Sequence, residues 1–349
     1  MYVKAPKTIW RSLVAGAALS VPAAFAADIS GAGATFPYPI YSKWAAAYKD
    51  KSGIGLNYQS IGSGGGIKQI KAKTVTFGAS DKPLEAKELD EAGLTQFPAI
   101  VGGVVPVINL KGIHPGDLVL DGPTVADIFL GKVKAWNDPE IKKLNPKLAL
   151  PSTLVAVVHR SDGSGTSFLF TSYLSQNSPE WKDKVGAATA VDWPTGVGAK
   201  GNEGVAAIAS QTDGAIGYVE YAYAKQNKMT FTSMVNKDGK ILAPSIEAFQ
   251  AAAANADWAH APAFYLVLTN QPGAASWPIT GASFILVYKK SDDAAAELEA
   301  LKFYDWAFKN GQKLASDLDY VPLPASVVDL IEASWKANIA DASGSPLWK

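Results

Sequence analysis

The chain has 349 residues, with 32 basic and 32 acidic side chains and no cysteine. Its length is sufficient for two domains with proper hydrophobic cores. The balanced charge argues against nucleic acid as a partner, since no basic stripe is present, and the lack of cysteine excludes disulfides and a cysteine-linked lipid.

The N-terminal segment has the pattern of a secretory signal peptide. Residues 4–11 carry three basic side chains, residues 12–21 are small and apolar, and residues 24–26 (Ala-Phe-Ala) fit a cleavage site. The apolar run is too short for a permanent membrane anchor. We therefore predict a signal peptide at residues 1–26 and a mature protein of the bacterial periplasm. The alternative is an amphipathic N-terminal helix. After cleavage 29 basic and 32 acidic residues remain, so the overall field does not attract anions.

Short apolar runs rich in β-branched residues alternate with helical patterns along the rest of the chain. This alternation predicts an α/β fold with mostly parallel sheets. We predict strands at residues 56–59, 75–79, 104–108, 154–158, 215–219 and 284–288. We predict helices at residues 37–49 and 164–174, around residues 301–308, and from residue 324 onward. Residues 101–110 and 281–288 are the expected crossings between two lobes.

Three glycine-rich segments lead into predicted helices: residues 31–36 (GAGATF), 62–66 (GSGGG) and 162–167 (DGSGTS). A helix N-terminus offers unpaired N–H groups and the positive end of the helix dipole, and small residues let an anion approach closely. Thr35, Ser63 and Ser164 are the predicted N-caps, which in the simplest interpretation stabilise each helix by about 1 kcal/mol. Together the segments predict a site for a small tetrahedral oxyanion.

Two charged residues refine this prediction. Arg160 ends a predicted strand beside the third segment, where its guanidinium can donate two parallel hydrogen bonds to an oxyanion, or pair with Asp162, or do both. Asp81 follows a predicted strand and is either a turn residue or an acceptor for a ligand O–H. Phosphate carries a proton near neutral pH and sulfate does not. A site built to bind a hydroxyl rejects an analogue without it by roughly 10⁴–10⁵-fold.

Several motifs closely resemble the periplasmic phosphate-binding proteins of bacterial ABC-type phosphate uptake systems, in order and over essentially the whole mature chain. The motifs are residues 31–37 (GAGATFP), 61–66, 77–81 (FGASD), 160–168 (RSDGSGTSF), 181–186, 214–221 (GAIGYVEY) and 318–323. The resemblance implies a two-lobe, type II-like periplasmic binding protein. Each lobe would be a mostly parallel sheet flanked by helices, and crossing strands would join the lobes. The expected boundaries are 27–104 with 281–349 for lobe I, and 105–280 for lobe II.

The resemblance also implies the ligand and the partners. One phosphate would lie in the cleft, bound by Ala34, Thr35, Phe36, Ser63, Asp81, Arg160, Ser164, Gly165 and Thr166. The expected partner is a membrane ABC permease with its cytoplasmic ATPase, and the receptor would be a monomer without cofactor or metal. Gly64 departs from the family pattern, because relatives often carry a second serine there, and the helix end would then be more flexible.

Three other interpretations remain open. A phosphatase or phosphotransferase would use Ser164 as a nucleophile, although none of the scattered histidines (His114, His159, His260) is placed as its base or as part of a metal site. The same fold could bind sulfate or another oxyanion, which Asp81 argues against. A surface adhesion or scaffold role would bind anions only incidentally.

Overall fold

The computed structural model describes residues 1–2 and 28–349. The predicted signal peptide therefore lies outside the described residues, apart from its first two positions. Within the described part of the chain, no helix combines the length and the hydropathy that a membrane crossing requires.

Strands and helices alternate along the chain. The first elements are β1 (Ile29–Gly33), α1 (Tyr38–Ser52), β2 (Leu56–Ser60), α2 (Ser63–Lys71), β3 (Phe77–Ser80), α3 (Ala86–Ala92) and β4 (Leu94–Ile108). The middle elements are β5 (Val119–Leu120), α4 (Gly122–Phe129), α5 (Pro139–Leu144), β6 (Ala156–Arg160), α6 (Gly165–Asn177), α7 (Pro179–Lys184), β7 (Val197–Ala199), α8 (Gly201–Gln211), β8 (Ala215–Glu220), α9 (Tyr221–Gln226), β9 (Thr230–Phe231), β10 (Ser233–Val235), β11 (Ile241–Leu242) and α10 (Ile246–Ala253). After two short 3-10 turns, the last elements are β12 (Thr280–Tyr288), α11 (Ala294–Asn310), α12 (Gln312–Ser316) and α13 (Ala325–Asn338).

Nine strands of the described chain form one sheet, in the order β2-β1-β3-β12-β4-β8-β6-β7 with β9 paired to β4. β1 runs parallel to β2 and β3, and β6 runs parallel to β7 and β8. Between these groups, β12 and β4 run antiparallel to each other and to their outer neighbours β3 and β8. The prediction of an α/β fold, with two mostly parallel groups of strands joined by crossing strands, is confirmed.

β4 is buried along its whole length and connects the two groups. Its first part pairs with β12, and its last part, Val104 to Ile108, pairs with β8. The last two residues also pair with β9. The sequence analysis predicts only this last part as a strand, whereas the structure has one continuous strand over residues 94–108. The fold accommodates Pro98 beside a register shift of β12 between Ser283 and Phe284.

β1 is a strand that the sequence pattern does not predict, because its residues are small and show no alternation of apolar and polar side chains. A Cβ atom at Gly31 would run into the Phe77 ring of β3, so a small residue is needed there. β3 and β6 also begin two residues later than predicted, at Phe77 and Ala156.

The predicted helices are present as α1, α6, α11 and α13. α1 buries Tyr41 and Tyr48 against Tyr304 and Phe303 of α11, with ring centroids 5.9 and 5.4 Å apart. Edge-to-face aromatic pairs of this kind contribute about 0.5–1.5 kcal/mol each beyond burial. This packing holds α1 against α11.

Candidate functional site

The three glycine-rich segments meet at one buried place. The first includes the end of β1, the second and third follow β2 and β6, and Asp81 follows β3. Ser63 Oγ accepts hydrogen bonds from the N–H groups of Asp81 (3.1 Å) and Gly165 (3.0 Å). The N–H of Gly64 donates to the Gly163 carbonyl at 2.8 Å. Segments about 100 residues apart in sequence are thereby joined, as the sequence analysis predicts.

The residues singled out from the sequence are all buried here: Ala34, Thr35, Phe36, Ser63, Asp81, Arg160, Ser164, Gly165 and Thr166. Packing is tight at Gly165. A Cβ atom there would lie 2.5 Å from Ser63 Oγ and 2.6 Å from Asp81 Oδ2. Only glycine fits this approach between α6 and the segments that follow β2 and β3.

The predicted N-caps are only partly correct. Ser164 is the N-cap of α6, and its Oγ accepts from the N–H of Ser167 at 3.0 Å. Thr35 and Ser63 are not N-caps, because the N-cap of α1 is Pro37 and that of α2 is Gly62. The hydroxyls of Thr35 and Ser63 instead bind distant segments of the chain.

Asn202 is a site residue that the sequence analysis missed. It is fully buried at the start of α8, and its Nδ2 donates to Thr35 Oγ1 at 2.7 Å and to Thr166 Oγ1 at 3.1 Å. Its backbone N–H lies 3.2 Å from Thr35 Oγ1 as well. Residues 200–204 (KGNEG) form a fourth glycine-containing helix start after a strand, and this pattern was the available signal.

Arg160 is the only arginine outside the predicted signal peptide. Its guanidinium is buried and pairs with Asp162 through two bonds, Nε to Oδ1 at 2.8 Å and Nη2 to Oδ2 at 2.6 Å. Nη1 lies 3.3 Å from Thr166 Oγ1. Burial raises the pKa of Asp162, but the hydrogen bonds and the positive charge of Arg160 outweigh burial and hold that pKa below its usual value. The predicted pairing is confirmed, and it fixes the orientation of a buried cation.

Backbone donors surround these side chains. Among residues 28–349, no acceptor is found for the N–H groups of Thr35, Phe36, Ser63 and Thr166. Ser63 and Thr166 lie in the first turns of α2 and α6, where helix geometry leaves N–H groups unpaired. Buried N–H groups normally have a partner, so a cluster of free donors marks a site suited to an anion.

Asp81 is the one acidic group in this cluster that has no ion-pair or hydrogen-bond partner within the described chain; both of its carboxylate oxygens are buried. Burial raises its pKa to about 7, and the Ser283 hydroxyl, the Arg160 charge and the Ser63 hydroxyl offset only part of this effect. These groups compensate the charge of an ionised Asp81 only in part, so a further hydrogen-bond donor would stabilise it.

The arrangement does not resemble a hydrolytic centre. His114 and His260 are exposed and paired with neighbouring aspartates, and His159 stacks on Trp193 with ring centroids 4.7 Å apart. No histidine hydrogen-bonds to Ser164 within residues 28–349. The described residues also include no group of three or more His, Cys, Asp or Glu side chains placed to hold a metal ion.

Comparison with known proteins gives consistent results. The family model described as a PBP superfamily domain matches residues 20–310. The chain is 58% identical over 310 residues to the phosphate-binding protein PstS of Xylella fastidiosa strain 9a5c, covering 89% of this chain and 85% of that protein. It is 55% identical over 324 residues to PstS of Pasteurella multocida, covering 93% and 94%.

A solved structure supports the fold. The human phosphate-binding apolipoprotein superposes with a TM-score of 0.72 at 18% identity, covering 92% of this chain and 99% of that one. The sequence relatives, the matching superfamily domain and the converging glycine-rich segments agree with the resemblance found in the motifs. This chain belongs to the PstS family of phosphate-binding proteins.

Proposed function

We propose that this protein binds inorganic phosphate at the buried cluster around Asp81 and delivers it for import without changing it chemically. The observation that carries the proposal is the unpartnered Asp81 carboxyl beside free N–H groups and one buried arginine. Near neutral pH, phosphate has ionised oxygens for these donors and at least one O–H for Asp81. Arsenate shares this combination, whereas sulfate has no O–H near neutral pH.

The charges of the site support the same ligand. Asp162 offsets the charge of Arg160, so the cluster gains its affinity for anions from oriented N–H dipoles rather than from excess positive charge. A doubly charged sulfate would place an oxygen without hydrogen against Asp81, which leaves two acceptors facing each other. Rejection of sulfate is therefore part of the proposal.

Titration calorimetry of the mature protein, after removal of endogenous ligand by unfolding and refolding, tests this function. Phosphate and arsenate are expected to bind tightly, and sulfate is expected to bind at least 10⁴-fold more weakly, since it lacks the proton. Equal affinities for phosphate and sulfate would contradict the proposal. Sustained hydrolysis of a chromogenic phosphate ester would instead favour an enzyme.

The partners and the location follow from family membership as further parts of the proposal. The protein would be exported to the periplasm, lose residues 1–26, act as a monomer, and deliver phosphate to an ABC permease with its cytoplasmic ATPase. N-terminal sequencing of the exported protein is expected to begin at Ala27. A start at Met1 would refute the signal peptide.

Two lobes are proposed, with lobe I formed by residues 27–104 and 281–349 and lobe II by residues 105–280. With these boundaries, the bonds from Gly64 to Gly163, from Gly165 to Ser63 and from Asn202 to Thr35 all cross the cleft. They would hold the closed state, which presents a combined surface to the permease. Small-angle scattering should show a smaller radius of gyration with phosphate than without it.

A further inference from the structure

Three tyrosine hydroxyls hold three consecutive carbonyls of the turn between β1 and α1. Tyr58 Oη donates to the Ala34 carbonyl at 2.7 Å, and Tyr223 Oη donates to the Thr35 carbonyl at 2.6 Å. Tyr320 Oη lies 2.6 Å from the Phe36 carbonyl. The three rings come from β2, from α9 and from the segment between α12 and α13. Such convergence on a three-residue turn is not needed for helix capping.

The peptide geometry gives this arrangement a consequence. In a trans peptide the C=O and the following N–H point in opposite directions. A tyrosine that binds the Ala34 carbonyl therefore turns the N–H of Thr35 away from itself, and the bond to the Thr35 carbonyl does the same for Phe36. These are two of the N–H groups without an acceptor in the described chain. The third peptide joins Phe36 to Pro37, which has no N–H, so there the hydrogen bond orients only the carbonyl.

We propose that Tyr58, Tyr223 and Tyr320 are positioning residues that fix the three peptide planes following residues 34, 35 and 36, so that the N–H groups of Thr35 and Phe36 face the bound oxyanion and the carbonyls of residues 34–36 do not. This inference rests on the proposed phosphate site. A peptide that rotated would direct the negative end of its dipole at the anion and convert a favourable contact into a repulsive one. Hydrogen bonding of each carbonyl also polarises the N–H on the other side of the same peptide.

Tyr320 adds a requirement for a proton. Its hydroxyl lies 2.7 Å from Glu220 Oε2 as well as 2.6 Å from the Phe36 carbonyl. One hydroxyl hydrogen cannot serve both acceptors, and a carbonyl cannot donate. When Tyr320 donates to Phe36, Glu220 must be the protonated acid that donates to Tyr320.

The surroundings of Glu220 favour its neutral form. The side chain is fully buried, and Oε2 also accepts from the N–H of Ala222 at 2.9 Å. Burial raises the pKa of Glu220 well above its usual value, and the negative charges of Asp319 and Asp81 raise it further, against lowering by the bonds from Tyr320 and Ala222. Lys225, in the helix α9 that follows Glu220, lies 3.7 Å from Asp319.

The main test compares tyrosine-to-phenylalanine variants by titration calorimetry and thermal unfolding. Tyr58→Phe and Tyr223→Phe are each expected to weaken phosphate binding about 10-fold, since each leaves one carbonyl of the turn unpaired. Tyr288→Phe is the matched control, because its hydroxyl also donates to backbone carbonyls, those of Ile70 and Val75, outside this turn. The control is expected to keep phosphate affinity within twofold, even if its melting temperature falls as much as those of Tyr58→Phe and Tyr223→Phe.

A second readout separates positioning from stability. Phosphate affinity of the wild type should fall more steeply than that of Glu220→Gln as rising pH ionises Glu220, because the amide of the variant can donate to Tyr320 at every pH. The ligand titrates identically in both experiments, so the difference reports the Glu220 proton. This comparison also serves if Tyr320→Phe fails to fold.

The outcomes are distinct. Tyr58→Phe and Tyr223→Phe variants that lose melting temperature but keep phosphate affinity within twofold would overturn the positioning role. Superimposable pH profiles of the wild type and Glu220→Gln, in a range where infrared spectroscopy shows that Glu220 ionises, would overturn the requirement for the proton. A wild type that does not bind phosphate would refute the proposed function itself, whatever the variants do.

Discussion

Replacing Asp81 by asparagine separates the stability of the site from its selectivity. Asparagine has almost the same shape but cannot ionise. Folding raises the pKa of Asp81 from 3.8 to about 7, so the folded protein binds this proton more tightly than the unfolded chain does. The resulting stability is complete below about pH 3.8 and is lost as the pH rises through about 7.

The size of the effect follows from the two pKa values. Relative to a side chain that is always neutral, Asp81 lowers the folding stability of the ligand-free protein by about 4 kcal/mol at pH 8. At pH 5, where the folded protein keeps the proton, the loss is only about 2 kcal/mol. Asp81→Asn should therefore be more stable than the wild type without phosphate. The difference in unfolding free energy should grow by about 2–3 kcal/mol between pH 5 and pH 8.

Urea unfolding of both ligand-free proteins at several pH values measures this difference directly. Calorimetry of the same two proteins should show phosphate affinity reduced about 10-fold in Asp81→Asn, with discrimination against sulfate reduced at least 100-fold, because the amide can donate to sulfate. A stability difference that stays constant from pH 5 to pH 8 would refute the electrostatic argument. Unchanged rejection of sulfate would refute the role of Asp81 in reading the ligand proton.

Three further variants test other features. Glu297→Gln should stabilise the protein by up to about 3 kcal/mol at pH 8 in urea unfolding and leave phosphate affinity unchanged. The reason is that burial raises the pKa of Glu297 from 4.5 to about 7, so its stabilising contribution is lost as the pH rises through that range. Equal stabilities at pH 8 would contradict this. Arg160→Lys should weaken phosphate binding about 100-fold in calorimetry, since an ammonium cannot form the forked pair with Asp162; a loss under threefold would show that any cation suffices. Gly165→Ala should prevent the start of α6 from approaching Ser63. Phosphate affinity should fall strongly, and the radius of gyration in solution scattering should no longer change when phosphate is added. An unchanged response to phosphate would show that the segment adapts.

Local sequence patterns predict much of the fold, because helices such as α1 and α6 carry their periodicity and end signals within their own residues. They do not predict β1, in which a small residue is needed at Gly31 because the Phe77 ring of the neighbouring strand lies against it. They also miss the first part of β4, which pairs with β12 across a register shift next to Pro98.

The site shows the same division. Its glycine-rich segments and charged residues are recognisable in sequence, because anion binding constrains residue type locally. The assignment of Thr35 as an N-cap was wrong because its hydroxyl binds Asn202, which is 167 residues away. The contributions of Asn202 and of the tyrosines around the turn depend on tertiary pairing, which no short pattern contains.

The position of β12 determines when this protein can fold. β12 fills the gap between β3 and β4, although its residues lie more than 200 positions after their partners in β3 and more than 170 after those in β4. Until Thr280–Tyr288 has been synthesised, β3 and the first part of β4 each have an open edge that could pair with another chain. The part of the sheet formed by β2, β1, β3, β12 and β4 is therefore complete only when most of the polypeptide has been synthesised. Contacts this distant in sequence also slow folding.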